Sequence, residues 1–127
     1  MKLIVDTSIL IDKLRGGRKW DNFLENLDNG VELYLPSIVI FELFSGLSSK
    51  KTQVSFKIFS FRKFFSEIDL TFEIAKRAGE LNRDIAGNLD LPDYIIAASA
   101  IEIGAQVVTL NKKHFSKIPG VSIYQIP

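Results

Sequence analysis

The segment Leu3-Ile4-Val5-Asp6-Thr7-Ser8 decides the fold, because a short β-favouring run passes directly into polar residues that can begin a helix. Leu3 to Val5 are typical of a strand, and Ser8 can cap a helix over residues 9–14 that Gly16-Gly17 ends. Further strands are predicted at 31–35, 68–70, 106–110 and 122–125. Because helices separate the strands, we predict an α/β fold with a parallel sheet.

The helices follow from apolar spacing and from their end signals. Residues 18–27 and a segment that begins at Pro36 or Ser37 are predicted to be helical. A fourth helix follows Thr71, and a fifth runs from Asp90 to Ile103, where Gly104 closes it. The fifth is apolar nearly all round, so we expect it to be buried against the sheet.

Composition excludes several classes of protein. The 127 residues are 46% hydrophobic, which suits one domain over 1–127. The net charge of +1 gives no global basic field, although a local basic patch remains possible. Zero cysteines exclude disulfides and thiolate chemistry, and a single histidine excludes a multi-histidine metal site. No apolar run approaches the ~20 residues of a membrane span, and we expect a cytoplasmic protein.

Four acids interrupt or open apolar runs. Asp6 ends the first run, Glu42 lies inside a second, and Asp90 and Asp93 open a third. Ligands of parallel sheets bind beyond the carboxyl ends of the strands, where Asp6 is expected. If folding brings the four acids together, they form a set of hard oxygen ligands for a divalent cation. The pattern therefore predicts a metal-dependent phosphoryl-transfer site.

Each acid also has a structural interpretation. Asp6 can cap the helix after it, and Glu42 can point outward, although its apolar neighbours favour an inward position. Asp90 and Asp93 imitate a capping box, and we expect one of them to cap the helix. Asp12 is expected to face solvent or a basic neighbour, and His114 is expected to be a surface residue.

Five phenylalanines lie between residues 56 and 65, more than one amphipathic helix needs to face a core. We expect some of them to pack inside and the others to form a surface for a partner protein.

Four motifs resemble the PIN-domain ribonucleases, and among these the VapC toxins. The motifs are 5–12 (VDTSILID), Glu42-Leu43 with Gly46, 93–100 (DYIIAASA) and 108–111 (VTLN) with Phe115 and 118–120 (IPG). The resemblance spans the chain in order and spacing. It implies a three-layer α/β/α sandwich around a parallel sheet and an endoribonuclease that uses Mg²⁺ or Mn²⁺. It also implies a homodimer and inhibition by a VapB-like antitoxin, to which the aromatic segment is predicted to contribute a groove.

The resemblance also implies roles for individual residues. Asp6, Glu42 and Asp93 correspond to the family's catalytic, metal-binding acids, and Thr7 or Ser8 would support the first of them. Asn111 and His114 stand where the family often has a fourth acid, and Asn111 could hold a metal-bound water without adding charge. Asp90 partly compensates for the missing charge.

RNA is expected to reach the site over exposed basic residues. Three clusters lie in segments near the expected site: Arg15, Arg18 and Lys19; Lys50 and Lys51; Lys112 and Lys113. Single-stranded or looped RNA suits a small acidic cleft better than a duplex does.

Two other classes of function remain as alternatives. A phospho-accepting receiver domain is also parallel α/β, and Thr109 with Lys112 faintly resembles its switch residues, but Asp6 lacks the neighbouring acid that such a site needs. A non-catalytic RNA- or protein-binding module on the PIN fold is the stronger alternative, because Asn111 would weaken a metal site.

Overall fold

A parallel β-sheet with helices around it organises the computed structural model, which describes residues 1–85, 87 and 89–127. In these residues the sheet has four strands in the order β3-β2-β1-β4, all parallel. The strands are β1 (Lys2–Val5), β2 (Glu32–Pro36), β3 (Ser66–Ile68) and β4 (Gln106–Val108). This architecture confirms the predicted α/β class.

Helices fill the connections between the strands. They are α1 (Thr7–Leu14), α2 (Lys19–Glu25), α3 (Ser37–Ser45), α4 (Thr52–Ser60), α5 (Phe72–Asp84), α6 (Leu91–Ile103) and α7 (Lys112–Ser116). Short 3₁₀ helices occupy Leu47–Lys50 and Phe61–Phe64. The predicted helices are confirmed in position, with small differences at their ends.

Strand β1 lies between two neighbours. Ile4 is in register with Tyr34 of β2 and with Val107 of β4. Leu3, Ile4 and Val5 are all fully buried. A strand that is covered on both faces needs apolar side chains at every position, which explains the unbroken apolar run.

The direction of the chain through the sheet reverses beside β1. From β1 the chain moves through β2 to β3 on one side, and it then returns to β4 on the other side of β1. The reversal therefore lies between β1 and β4, where Val5 is in register with Val108. Ligands of open α/β sheets bind beyond the carboxyl ends of strands at such a point.

Helix α6 is the buried helix that its sequence predicts. Every residue from Tyr94 to Ala100 is buried. The helix ends at Gly104, whose φ of 69° is in the left-handed region that favours glycine.

The predicted strand at 122–125 is wrong. Only one isolated bridge forms in this segment, between Val107 and Ile123. Val107 donates to the Ser122 carbonyl (2.8 Å) and accepts from the Tyr124 N–H (2.9 Å). Beyond this bridge, the described part of the segment forms no further ladder with β4. The predicted strand at 68–70 is also displaced, since β3 ends at Ile68.

The aromatic segment divides as the sequence predicts. Phe61 is buried, and its ring lies 6.3 Å from that of Trp20, which also contacts Phe64 (5.7 Å) and Phe65 (5.6 Å). Phe56, in contrast, is 73% exposed. Aromatic rings at these separations add to the stability that burial provides.

We predict that Phe61→Ala lowers the free energy of unfolding by about 3 kcal/mol, because it leaves a cavity beside Trp20. The matched variant Phe56→Ala should change it by no more than ~0.5 kcal/mol, because that ring is already exposed. Urea unfolding followed by fluorescence of Trp20, the single tryptophan, measures both. Equal losses in the two variants would contradict the assignment of Phe61 to the core.

Candidate active site

One pocket of about 310 Å³ gathers the predicted acids. Asp6, Glu42, Asp90 and Asp93 all line it. Its other lining residues are Thr7, Ser8, Ile11, Arg15, Asn111 and His114. Asp6 directly follows β1, Glu42 lies in α3, and Asp93 lies in the first turn of α6. Folding thus brings together every site residue that the sequence analysis named.

Asp6 is held by hydroxyl groups from two parts of the chain. Its side chain is only 4% exposed, and Oδ2 accepts hydrogen bonds from Ser8 Oγ (3.0 Å) and Thr109 Oγ1 (2.7 Å). Thr109 reaches Asp6 because Asp6 N–H donates to the Val108 carbonyl (2.9 Å), which places the residues after β1 and β4 side by side. The carboxylate is therefore fixed in one orientation.

The capping roles expected around Asp6 are wrong. Asp6 occupies the N-cap position of α1, but its side chain makes no capping hydrogen bond within the described residues. The helix begins at Thr7, so Ser8 lies inside it and cannot be its cap. Ser8 Oγ instead accepts the Leu110 N–H (3.0 Å) while it donates to Asp6. The side chains of Asp6 and Ser8 therefore face the pocket and do not cap the helix.

Glu42 is turned toward the start of α1. Thr7 Oγ1 donates to Glu42 Oε1 at 2.5 Å, and the carboxylate is half-buried. Burial raises the pKa of Glu42; the Thr7 hydrogen bond opposes this, and the negative charges of Asp6, Asp93 and Asp90 raise it further. The inward position expected for Glu42 is therefore the observed one.

The pKa of Asp93 is shifted in the same direction as that of Glu42. Burial raises the pKa of Asp93 first, and the charges of Asp6 and Asp90 raise it further. His114 and the backbone of Asp90 oppose the rise. Carboxylates that raise one another's pKa in this way lie close enough to repel.

The expected side-chain cap of α6 is not formed. Asp90 lies at the N-cap position, but its carboxylate makes no capping hydrogen bond within the part of the chain described. Pro92 has no N–H to offer, and the Asp93 N–H already donates to the Asp90 carbonyl (3.0 Å). The donors that a capping side chain normally uses are therefore absent or engaged, and both carboxylates line the pocket.

Two residues have larger parts in the site than the sequence analysis gave them. Thr109 is fully buried, and besides its bond to Asp6 it accepts the Asn111 N–H (2.9 Å). The available signal was its position directly after β4, matching that of Asp6 after β1. His114 was expected to be a plain surface residue, yet its Nδ1 lies 3.5 Å from Asp93 Oδ2 at the pocket wall. It follows Asn111 by one helical turn, which carries it to the same pocket.

Asp12 stays outside the pocket, and its Oδ2 accepts the backbone N–H of Lys19 (3.2 Å). The donor is an uncharged backbone group, and among the described residues no basic side chain forms an ion pair with Asp12, so the expected contact with a basic neighbour is not formed.

The chemical type of the possible ligands in the pocket suits a divalent cation. Carboxylate oxygens are the ligands that Mg²⁺ and Mn²⁺ prefer, and a cation would relieve the repulsion that raises the pKa of Glu42 and Asp93. The geometry is not a preformed cage: among residues 1–85, 87 and 89–127, no three His, Asp or Glu side chains converge closely enough for one ion. One oxygen each of Asp6 and Glu42 is engaged by hydroxyls, and the other remains for a ligand.

We predict that Glu42→Gln stabilises the metal-free protein at pH 7, raising the unfolding temperature by roughly 3 °C. A raised pKa means that the folded state binds a proton more tightly than the unfolded chain does. That stability is present below the ordinary carboxyl pKa and is lost as the pH rises through the raised value. The gain from glutamine should therefore vanish near pH 4.

Thermal unfolding by circular dichroism in a chelator, at both pH values, provides the measurement. Glu73→Gln, which alters an exposed glutamate outside the pocket, is the matched control. A lower unfolding temperature for Glu42→Gln at pH 7 would contradict the repulsion described above.

No helix in the described ranges combines the length and the apolar character needed to cross a membrane.

Comparison with known proteins gives one consistent result. The model of the PIN domain family matches residues 3–121. Ribonuclease VapC19 of Mycobacterium tuberculosis (strain ATCC 25618 / H37Rv) is 35% identical over 126 residues, which cover 94% of this chain and 95% of that protein. Ribonuclease VapC of Rickettsia bellii (strain RML369-C) is 30% identical over 139 residues, covering 100% and 98%.

Solved structures agree over nearly the whole chain. A chain of the VapBC2 structure from Rickettsia felis, bound to a DNA fragment from its promoter, superposes with a TM-score of 0.85 at 28% identity, and 98% of each chain is covered. A toxin-antitoxin complex from Klebsiella pneumoniae gives a TM-score of 0.75 at 30% identity, covering 98% of this chain and 99% of that one.

Proposed function

This chain belongs to the PIN-domain family, and from that membership we propose that it is an endoribonuclease, the toxin of a VapBC-type toxin-antitoxin pair. The relatives named ribonuclease VapC match it over nearly their full length. The observation that supports the chemistry is the pocket at the carboxyl ends of β1 and β4, which four acids line. Hydrolysis of RNA phosphodiesters is the reaction that this arrangement serves best.

We further propose that the enzyme depends on Mg²⁺ or Mn²⁺, held by Asp6, Glu42 and Asp93, with Asn111 contributing through a water. When bound, such a cation stabilises charge that develops on the phosphate oxygens and activates water for in-line attack. Asp90 adds negative charge beside these ligands, which partly compensates for an amide at position 111.

The chain's own residues prepare the site before substrate binds. Ser8 and Thr109 fix the orientation of Asp6, and Thr7 fixes that of Glu42. Hydroxyl groups that hold ligating carboxylates commonly raise metal affinity or activity. Glu42 or Asp93 is placed to orient the attacking water, because both line the pocket and hold protons more tightly than ordinary carboxyls.

Single-stranded RNA is the substrate class that we propose. The pocket is small, so only a backbone that bends freely can bring a phosphate among the four acids. Lys50, Lys51, Lys112 and Lys113 are all exposed, and their charges can attract the phosphates of an approaching strand.

We predict that Asp6→Asn lowers the rate of RNA cleavage more than ~100-fold, since even the hydrogen-bond partners of metal ligands contribute about 10–100-fold. Asp12→Asn is the matched control, because Asp12 lies in α1, the helix that Asp6 precedes, but outside the pocket. Cleavage of a labelled single-stranded RNA, with Mg²⁺, with Mn²⁺ and with a chelator, provides the measurement.

The same assay separates the alternatives. Cleavage by neither protein would favour the non-catalytic binding module, the alternative that the exposed amide of Asn111 supports. Equal cleavage by wild type and Asp6→Asn would remove the carboxylates from the mechanism. Cleavage that persists in the chelator would contradict metal dependence.

We propose that a VapB-like antitoxin binds an apolar surface on α3, α4 and the 3₁₀ helix between them. The surface consists of five side chains, each 38–80% exposed: Phe41, Phe44, Leu47, Phe56 and Phe59. The rings of Phe44 and Phe59 are 5.7 Å apart at one end of a cavity of about 190 Å³. Exposed apolar patches of this kind mark protein interfaces, and the similar chain from Klebsiella pneumoniae comes from a toxin-antitoxin complex.

We predict that Phe59→Ala weakens binding of the protein encoded beside this chain by roughly tenfold or more, because aromatic side chains often dominate interface energies. Phe72→Ala, which removes a still more exposed ring from α5 (79% against 58% for Phe59), should leave the affinity nearly unchanged. Phe61 is unsuitable for this test because it is buried. Titration calorimetry on the purified proteins measures the difference, and equal affinities for the two variants would place the antitoxin elsewhere.

A homodimer and a cytoplasmic location remain predictions from the sequence.

A further inference from the structure

The arginines of this chain differ in how their charges are used. Four of the five are paired with carboxylates of the protein: Arg18 with Asp21 (3.8 Å) and Glu25 (3.5 Å), Arg62 with Glu67 (2.7 Å), Arg77 with Glu102, and Arg83 with Asp84 (2.7 Å). Within the residues that the structure describes, Arg15 has no carboxylate oxygen within 4.0 Å. Its charge is therefore not neutralised locally by the protein.

Arg15 nevertheless lines the acidic pocket. Arg15 is the C-cap residue of α1, and its N–H donates to the Ile11 carbonyl (3.0 Å), so Ser8, Ile11 and Arg15, at spacings of three and four residues, follow one helical face. Side chains on a helix lean toward its N-terminus, which directs Arg15 over Ile11 and back toward Asp6. Positions 8 and 15 are roughly 10 Å apart along the helix axis.

An RNA strand needs such a cation, because four carboxylates line the pocket that its phosphate must enter. A guanidinium group binds phosphate oxygens with two parallel hydrogen bonds, and an arginine already paired with a carboxylate does so less readily. Arg18 is exposed and close in sequence, but Asp21 and Glu25 partly neutralise it. Arg15 lines the pocket and has no carboxylate partner among the described residues, so it is better placed than Arg18 to bind a phosphate.

We propose that Arg15 is a positioning residue that binds an RNA phosphate adjacent to the scissile one, at the wall of the pocket that the four carboxylates line. This inference rests on the proposed ribonuclease function. Bound there, the guanidinium fixes the register of the strand and partly offsets the repulsion that the acids exert on it. A purely structural role, in which the aliphatic stem of Arg15 covers Ile11, would contribute to stability and not to phosphate binding.

The test is the salt dependence of binding to a labelled single-stranded RNA oligonucleotide, measured with Mg²⁺ in Asp6→Asn protein so that the strand stays intact. Adding Arg15→Gln should weaken binding roughly tenfold at low salt and reduce the slope of log K against log salt by about 0.7, the value for one lost phosphate contact. Adding Arg18→Gln, the matched control, should change the affinity less than about twofold. Arg15→Lys should restore the slope, because it restores the charge, but only part of the affinity.

An unchanged slope in Arg15→Gln, with or without a lower unfolding temperature, would overturn the inference, and so would equal slopes for Arg15→Gln and Arg18→Gln. If wild-type protein cleaves RNA while Arg15→Gln binds normally, only the role of Arg15 fails. If the wild type neither binds nor cleaves RNA, the ribonuclease function fails, and this inference fails with it.

Discussion

The pairing of β1 with β4 is the constraint on which the site depends. It sets Val5 beside Val108, so the residues that follow the two strands, Asp6 and Thr109, lie side by side. The hydrogen bond from Thr109 to Asp6 joins positions 103 residues apart in sequence. The order of the strands reverses between β1 and β4. At such a reversal a crevice forms beyond the carboxyl ends of the two strands, and the pocket lies there.

Around this edge the protein holds like charges together at a cost in stability. Burial and mutual repulsion raise the pKa of Glu42 and of Asp93, so the metal-free site is electrostatically unfavourable at neutral pH. The hydroxyls of Thr7, Ser8 and Thr109 offset part of that cost by donating to the carboxylates. Such an arrangement is typical of a site prepared for a cation and a phosphate, and it accords with membership of the PIN-domain family.

Buried and exposed side chains of the helices around the sheet have different roles. Helix α6 is buried along its centre and carries Asp93 in its first turn, so packing fixes the position of an acid. Phe61 and Trp20 pack together inside, whereas Phe56 and Phe59 lie outside on α4. Exposed aromatic side chains such as Phe56 and Phe59 gain nothing from contact with water. They belong to a surface that is separate from the acidic pocket.

The sequence by itself determined most of the strands and helices and the choice of acids, because apolar periodicity, glycine ends and charges inside apolar runs are local signals. It also identified the family, through motifs that keep their order along the chain. Only the tertiary structure decided that Asp6 and Asp90 do not cap helices with their side chains, that Thr109 holds Asp6 while His114 lines the pocket, and that Arg15 lacks a carboxylate partner among the described residues. These outcomes depend on which residues meet across the β1–β4 pairing and the helix ends, and contacts between residues so distant in sequence leave no periodic or local signal.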